Sequence, residues 1–457
     1  MRHERCNQHL VSSGAIGDPD GATSDDGCPS PRAAWVGLAL LMAAMFFSCI
    51  DRGIINLLVE PVKATYGLND TQFGALQSLA FGVFYISMAI PLGLLSDRYQ
   101  RRLVIAVGIA IFNVSSLMTG FSRNYTQLFA ARVGVGFGEA SLAPAAYSMI
   151  TDYFPRHRLG RAMSMFSTST YVGSSMALII GGALVTAYDR MFAADPSALF
   201  GLRPWQATII SIAIPGLLLS PFFLLLREPA RRGTSGAKPA VSFAEMKQQM
   251  AGRGTVLALL IAGSSAASLM IQAVSLWLPA LFIRVYGLNV GQIGLWMGLL
   301  LLGGGVLGTL LGGSLVDRYT ARGKSDGPVT AIALAYTVVA VFGIVAPLMP
   351  NATLALICFT PVFLLCPITF GIVPSLLQMM TPNQLRARVS AAYLTVINLV
   401  GLAAGPILVG FMTDYVFGAA TDVRYSIAVI TAIAAPSTVL FMLLARRPYR
   451  QLMEAAQ

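Results

Sequence analysis

Asp51 and Arg52 follow an apolar run from Ala33 to Ile50, and Arg132 and Glu139 stand seven residues apart within another apolar stretch. Seven residues are nearly two helical turns, so on a helix Arg132 and Glu139 share one face. A charge at the middle of a bilayer costs roughly 2.5 to 3.5 kcal/mol on insertion scales unless it faces a cavity or a partner. The chemistry this set offers is exchange. A carboxylate beside an arginine can give up that partner for a proton, and the arginine can then take an anionic solute. This is the minimum chemistry for coupling a proton to a transported molecule. Neutralised pairs that only fix helix packing are the alternative.

The elements that must position these residues follow from composition. The 457 residues are 56% hydrophobic and only 11% charged, against about 25% charged in soluble chains. Lipid is therefore the solvent for most of the chain. A helix needs roughly 20 apolar residues to cross the hydrocarbon, and an open sheet cannot satisfy its backbone there. Apolar stretches bounded by charge, Pro or Gly fall near 33–59, 71–95, 103–121, 126–150, 162–187, 205–226, 254–284, 290–316, 328–348, 352–377, 388–416 and 424–445. Lys and Arg gather after the even-numbered spans, around 98–102, 156–161, 227–253, 318–324, 386–388 and 446–450. The opposite loops hold only Lys63, Arg123, Arg190, Arg203, Arg284 and Arg424. The positive-inside rule then places both termini in the cytoplasm, in a bacterial inner membrane.

Several other functions are excluded on the same grounds. The net charge of +11 is spread over loops rather than gathered in one soluble domain, which argues against a nucleic-acid partner. Cys6, Cys28, Cys49, Cys358 and Cys366 form no Cys-x-x-Cys pair and lie near no His cluster, so neither a disulfide framework nor a metal site is expected. Gly303, Gly305 and Gly308 match a dinucleotide fingerprint, yet no strand precedes them. Like Gly134, Gly136 and Gly138, they suit close helix approach instead. His157 lies between two arginines, a solvated setting that suggests no catalysis. No cofactor and no enzymatic activity are expected.

An internal repeat sets the domain organisation. Tyr66-Gly67-Leu68-Asn69 recurs as Tyr286-Gly287-Leu288-Asn289, and Asp97-Arg98-Tyr99 as Asp317-Arg318-Tyr319, both at an offset of 220. Pro155 with Gly160-Arg161 recurs as Pro382 with Ala387-Arg388 at an offset of 227. The expected fold is an all-α membrane protein of twelve transmembrane helices in two pseudo-symmetric six-helix bundles. A disordered tail covers 1–32, the bundles 33–226 and 254–445, a cytoplasmic linker 227–253, and a second tail 446–457. Parallel halves place a binding site between them near the bilayer midplane, exposed to each side in turn.

The run Gly93-Leu94-Leu95-Ser96-Asp97-Arg98-Tyr99-Gln100-Arg101-Arg102 resembles the loop 2–3 signature of the major facilitator superfamily, with Gln100 where that signature usually has Gly. Asp51-Arg52, Tyr66-Gly67-Leu68, Asp70-Thr71-Gln72-Phe73-Gly74 and the stretch Arg132 to Ala140 resemble its spinster-like branch. The resemblance covers about residues 33 to 445. It implies proton coupling by Asp51, Glu139 and Arg132, and substrate or proton handling by Arg52. Further candidate substrate contacts are Tyr147, Tyr171, Gln272, Trp277, Tyr393 and Asn398, with Glu139 shared between the two roles; Gln378 is a lesser candidate. Candidate gating residues are Asp97, Arg98, Arg101, Arg161, Asp317 and Arg388, with Asp97 expected near Arg388 and Asp317 near Arg161 across the halves.

The expected function is proton-coupled secondary active transport by alternating access. The substrate is a small molecule or lipid, such as a lysolipid, a sphingoid-type or other amphiphilic solute. The protein is expected to act as a monomer among membrane lipids. An organic anion or drug transporter of the same superfamily is the first alternative, and a receptor or sensor without turnover the second.

Overall fold

The structure, a computed structural model, describes residues 31–226, 228–229, 252–322, 326–382 and 385–454. The side chains of Asp97 and Asp317 lie outside that description, as does nearly all of the 227–253 linker and most of the 1–32 tail. Among the described residues, eleven helices are long and apolar enough to cross a membrane: Pro31–Ile54, Asp70–Ser96, Arg101–Phe121, Arg161–Ala194, Pro204–Leu225, Gly254–Tyr286, Val290–Val316, Gly327–Leu348, Ala352–Met380, Arg388–Phe417 and Ala420–Glu454. The remaining span is cut in two, Tyr125–Glu139 and Leu142–Tyr153. Counted in chain order with that one fourth, they are spans 1 to 12 of an all-helical membrane protein.

Proline explains the cuts. Pro144 has no N–H for the carbonyl of Ala140, and its ring crowds that carbonyl, so span 4 breaks directly after Glu139. Pro61 does the same to Leu57; helix 1 therefore stops at Ile54 rather than near 59, and a short helix, Val59–Tyr66, follows. Span 10 is jointed at Cys366, ahead of Pro367. The charges Asp51, Arg52 and Glu139 thus sit in the last turns of helices, where Arg52 complements the negative end of the dipole.

The repeated tetrapeptide is a turn module. Gly67 and Gly287 take left-handed φ values of 66° and 67°, which a glycine adopts without Cβ strain. Asn69 and Asn289 then cap the next helix, each accepting the N–H of Gln72 or Gln292 at 2.8 Å. The hydroxyls of Tyr66 and Tyr286 donate at 2.8 Å to the carbonyls of Ser122 and Met349. Asn124 and Asn351 cap spans 4 and 10 alike.

Two seams join the halves. Spans 5 and 8 touch backbone to backbone: a Cβ on Gly298 would meet the carbonyl of Ser175 at 2.8 Å. Spans 2 and 11 meet through π-helical stretches, Leu76–Val83 and Leu399–Ala404, where a Cβ on Gly82 would lie 3.2 Å from Leu402. Gly304 packs against the backbone of Phe363 in span 10, so the glycine-rich run of span 8 serves helix approach. The last helix continues to Glu454, past the 445 boundary expected for the bundle, because Tyr449 is buried and Arg446 is tied to Asp326 at 2.7 Å.

Candidate functional site

The breaks after Ile54 and Glu139 bring four charges together as two crossed pairs. Arg132 donates from Nη1 to Asp51 Oδ2 at 3.0 Å, and from Nη2 to Gln77 Oε1 at 3.2 Å. The Ser116 hydroxyl donates to the other Asp51 oxygen. Arg52 pairs instead with Glu139, whose Oε1 also accepts from Ser48. Asp51, Glu139 and Arg132 are 4%, 3% and 1% exposed, whereas the Arg52 side chain is 34% exposed and borders a cavity. Among the described residues, Glu139 Oε2 is buried without a hydrogen-bond partner, which leaves one acceptor available for a proton. Removing one partner from such a buried pair costs more than the pair contributes, because the other charge stays buried.

The cavity, about 450 Å³, lies between the halves. The first half lines it with Arg52, Asn56, Gln77 and Ser174; the second half gives a mostly apolar wall that includes Phe363, Phe370, Leu394 and Ile397, broken by Ser268, Gln272, Ser275 and Asn398. Of the expected contacts, Arg52, Tyr171, Gln272 and Asn398 lie on its wall. Glu139 reaches it only through Arg52. Four expected contacts do not line it: Gln378 is exposed, and helix packing accounts for the other three. Trp277 is buried, its indole N–H donating to Pro406 O at 2.8 Å and its ring packed on Phe73. Tyr393 is buried among spans 7 and 11. Tyr147 is 45% exposed, its ring edge-on to Phe166. Tyr171 also bridges the halves, accepting from the Thr309 hydroxyl at 2.8 Å.

At the end of the molecule opposite the arginine-rich loops, the halves are clamped. Arg284 of span 7 grips Asp70 with both Nη atoms, at 2.6 and 2.7 Å, and Glu60 at 2.7 Å; Lys63 pairs with Asp70 as well. Asp414 of span 11 accepts the N–H groups of Asp70 and Thr71, at 3.1 and 2.6 Å, at the N-terminus of span 2. Sequence reasoning missed Glu60, Asp70, Arg284 and Asp414 as contacts between the halves. The signal was present in the opposite signs of Asp70 and Arg284, which flank the two copies of the repeated tetrapeptide, Asp70 directly after the first and Arg284 two residues before the second.

At the arginine-rich end, Arg101 does not reach across the halves among the described residues. It is buried and bonded to Asp152, Ser148, Glu228 and the carbonyl of Pro229, which ties the start of span 3 to the end of span 4. Arg98, Arg161 and Arg388 are exposed. The expected partners Asp97 and Asp317 lie outside the described side chains.

The profile of the Major Facilitator Superfamily matches residues 41–405. An "MFS-type efflux pump" of Mycolicibacterium smegmatis is 25% identical over 93% of this chain and 96% of its own length. "Protein spinster" of Drosophila melanogaster is 24% identical over 84% of this chain, which spans 62% of that protein. The crystal structure of a bacterial homologue of the human lysosomal transporter spinster, inward-facing and unoccupied, superposes with a TM-score of 0.78 at 22% identity, covering 93% of this chain and 98% of the other.

Proposed function

This chain belongs to the Major Facilitator Superfamily, and on that premise we propose that it is a proton-coupled secondary transporter carrying an amphiphilic organic solute by alternating access. The observation that carries the reading is the Arg52–Glu139 pair at the cavity wall. A proton on Glu139 releases Arg52 to a carboxylate or phosphate head group, while the apolar wall takes the rest of the solute. Asp51 and Arg132 form the inner pair and share the coupling role with Glu139. The spinster-like resemblance supports a lysolipid or sphingoid-type solute. The clamp at Asp70 and Arg284 supports an inward-facing conformation with the arginine-rich ends in the cytoplasm. Asp97 and Asp317 then gate the cytoplasmic side through Arg388 and Arg161 once the cavity opens outward.

Purified protein in liposomes tests the reading with a lysophospholipid, a sphingoid phosphate and an aromatic carboxylic acid as probes under an imposed pH gradient. Uptake of at least one is expected to follow the gradient. Glu139→Gln is expected to bind that probe by thermal shift and to lose the gradient dependence. Gradient-driven flux that survives Glu139→Gln removes the coupling role. Binding without flux in the unaltered protein favours a receptor. Export of organic anions or drugs is the second reading, favoured by the similarity to the mycobacterial efflux pump, and dominant flux of the aromatic acid would select it.

A further inference from the structure

Both guanidinium groups of the charged set lie over one ring. Arg52 Cζ is 5.2 Å and Arg132 Cζ 5.5 Å from the centroid of Phe81, and Arg52 is also 5.0 Å from that of Tyr85. Phe81 and Tyr85 are stacked on each other, and Phe81 is fully buried. Its place is made by Gly136, which lies between Arg132 and Glu139 in sequence; a Cβ there would meet the Phe81 carbonyl at 2.6 Å. Only a glycine lets the backbone of span 2 approach span 4 this closely. One turn earlier, Gln77 accepts from Arg132 and borders the cavity. Phe81 and Gln77 both belong to the π-helical stretch Leu76–Val83, whose Gly82 presses on Leu402 of span 11.

We propose that Phe81 is a positioning residue that links the span 2–span 11 seam to the two ion pairs. The negative face of its ring holds both guanidinium groups. A shift of span 2 against span 11 moves that ring relative to both arginines. By linkage, a change in the ion pairs biases the seam by the same free energy. The inference rests on the proton-coupled reading. When Glu139 takes up a proton, Arg52 loses its counter-charge and leans on Phe81 and Tyr85. The charged and titratable groups facing this site are Cys49, Asp51 and Arg52 of span 1, Tyr85 of span 2, and Arg132 and Glu139 of span 4. Span 3 contributes the neutral Ser116, and span 5 the neutral Thr170 and Ser174.

The test replaces Phe81 with mono-, di- and trifluorophenylalanine, which keep the ring's shape while withdrawing charge from its face. Spin labels at Arg158→Cys and Arg447→Cys, exposed positions on opposite halves, report the separation of the arginine-rich ends by pulsed EPR in nanodiscs between pH 5 and 9. Cys6, Cys28 and Cys358 are changed to Ser, and the buried Cys49 and Cys366 remain. A weaker ring face makes the protonated state less accessible, so the pH midpoint of the distance change should fall with each fluorine, by about half a unit in all. Variants that all share the unaltered protein's midpoint overturn the role of Phe81 alone. An unaltered protein whose distances ignore pH overturns the proton-coupled reading, and this inference with it.

Discussion

In the first half, Asp51, Arg132 and Glu139 are buried between spans 1 and 4 and Arg52 borders the cavity; in the second, the positions related to them by the repeat offsets of 220 and 227 hold Ile271, Gln272, Phe359 and Cys366. The scaffolding around the two sets is the same. Both halves use a left-handed glycine, an Asn cap, a tyrosine tied to a carbonyl and a cut in the fourth helix at the equivalent place. A neutral half therefore closes as well as a charged one. Burying ions carries a desolvation cost that a packed apolar core avoids. The contrast teaches that a six-helix unit of this plan closes without a charged set, which supports a functional reading of the charges in the other half.

The largest effect expected from this contrast is on Asp51. Asp51→Asn leaves the buried Arg132 charge with neutral amide acceptors and no counter-charge, and should cost about 3–5 kcal/mol of stability in detergent. The pair replacement Asp51→Asn with Arg132→Met should recover most of that loss. In the neutral half, Gln272→Leu should change stability by less than about 0.5 kcal/mol. Equal losses for Asp51→Asn and Gln272→Leu in thermal unfolding would break the comparison.

A smaller effect is expected where the halves meet. Arg284→Met frees Glu60 and leaves Asp70 with Lys63, so the clamp should weaken by about 1 kcal/mol and the population open at that end should rise about fivefold. Labelling of Ser275→Cys, on the cavity wall, by an impermeant thiol reagent added from the clamped side should accelerate to match. An unchanged rate means that the halves are held there by something other than this charge cluster.

The smallest effect lies at the rim of the second half. Hydrogen bonding from Arg446 holds the Asp326 carboxyl below its ordinary range. A depressed carboxyl stabilises the fold above its unfolded pKa of about 3.9 and loses that contribution as pH falls through the folded value. Asp326→Asn should therefore lower stability at pH 7 by no more than about 0.2–1 kcal/mol, as for exposed pairs. The gap between the two proteins should close toward pH 3. A gap that widens in acid would reverse the assignment.

The spans and the repeat were legible because they are written in local chemistry. Apolar runs count themselves, and Tyr66-Gly67-Leu68-Asn69 encodes a helix stop and a helix start whatever surrounds it. The four charges of the site were legible because an ion in an apolar run has few places to go. Their pairing was not. Asp51 and Arg52 are neighbours in sequence but lie about 100° apart around a helix, so each takes a partner from span 4, and which one depends on the rotation of two helices. Trp277 and Tyr393 misled for a related reason: an aromatic with a polar tip suits a cavity wall and a packed interior equally. Arg101 belonged to a charged motif but is held by Asp152 and Glu228, far away in sequence. Phe81 carried no mark that set it apart from the other phenylalanines until Gly136 placed it against two arginines.

The cuts in spans 4 and 10 divide each of these helices into two short rods joined at Ala140 and at Cys366. A continuous rod crossing the bilayer can only tilt as a whole, so widening one mouth pinches the other. A jointed rod lets the lower piece swing while the upper piece keeps its place against its neighbours. Span 10 lines the chamber on both sides of its joint, through Phe363 before it and Pro367 and Phe370 after it, so a bend there changes the chamber's width while the bolted outer face stays in place. The width of that chamber is thus set by the angle of a hinge as well as by the side chains on its wall.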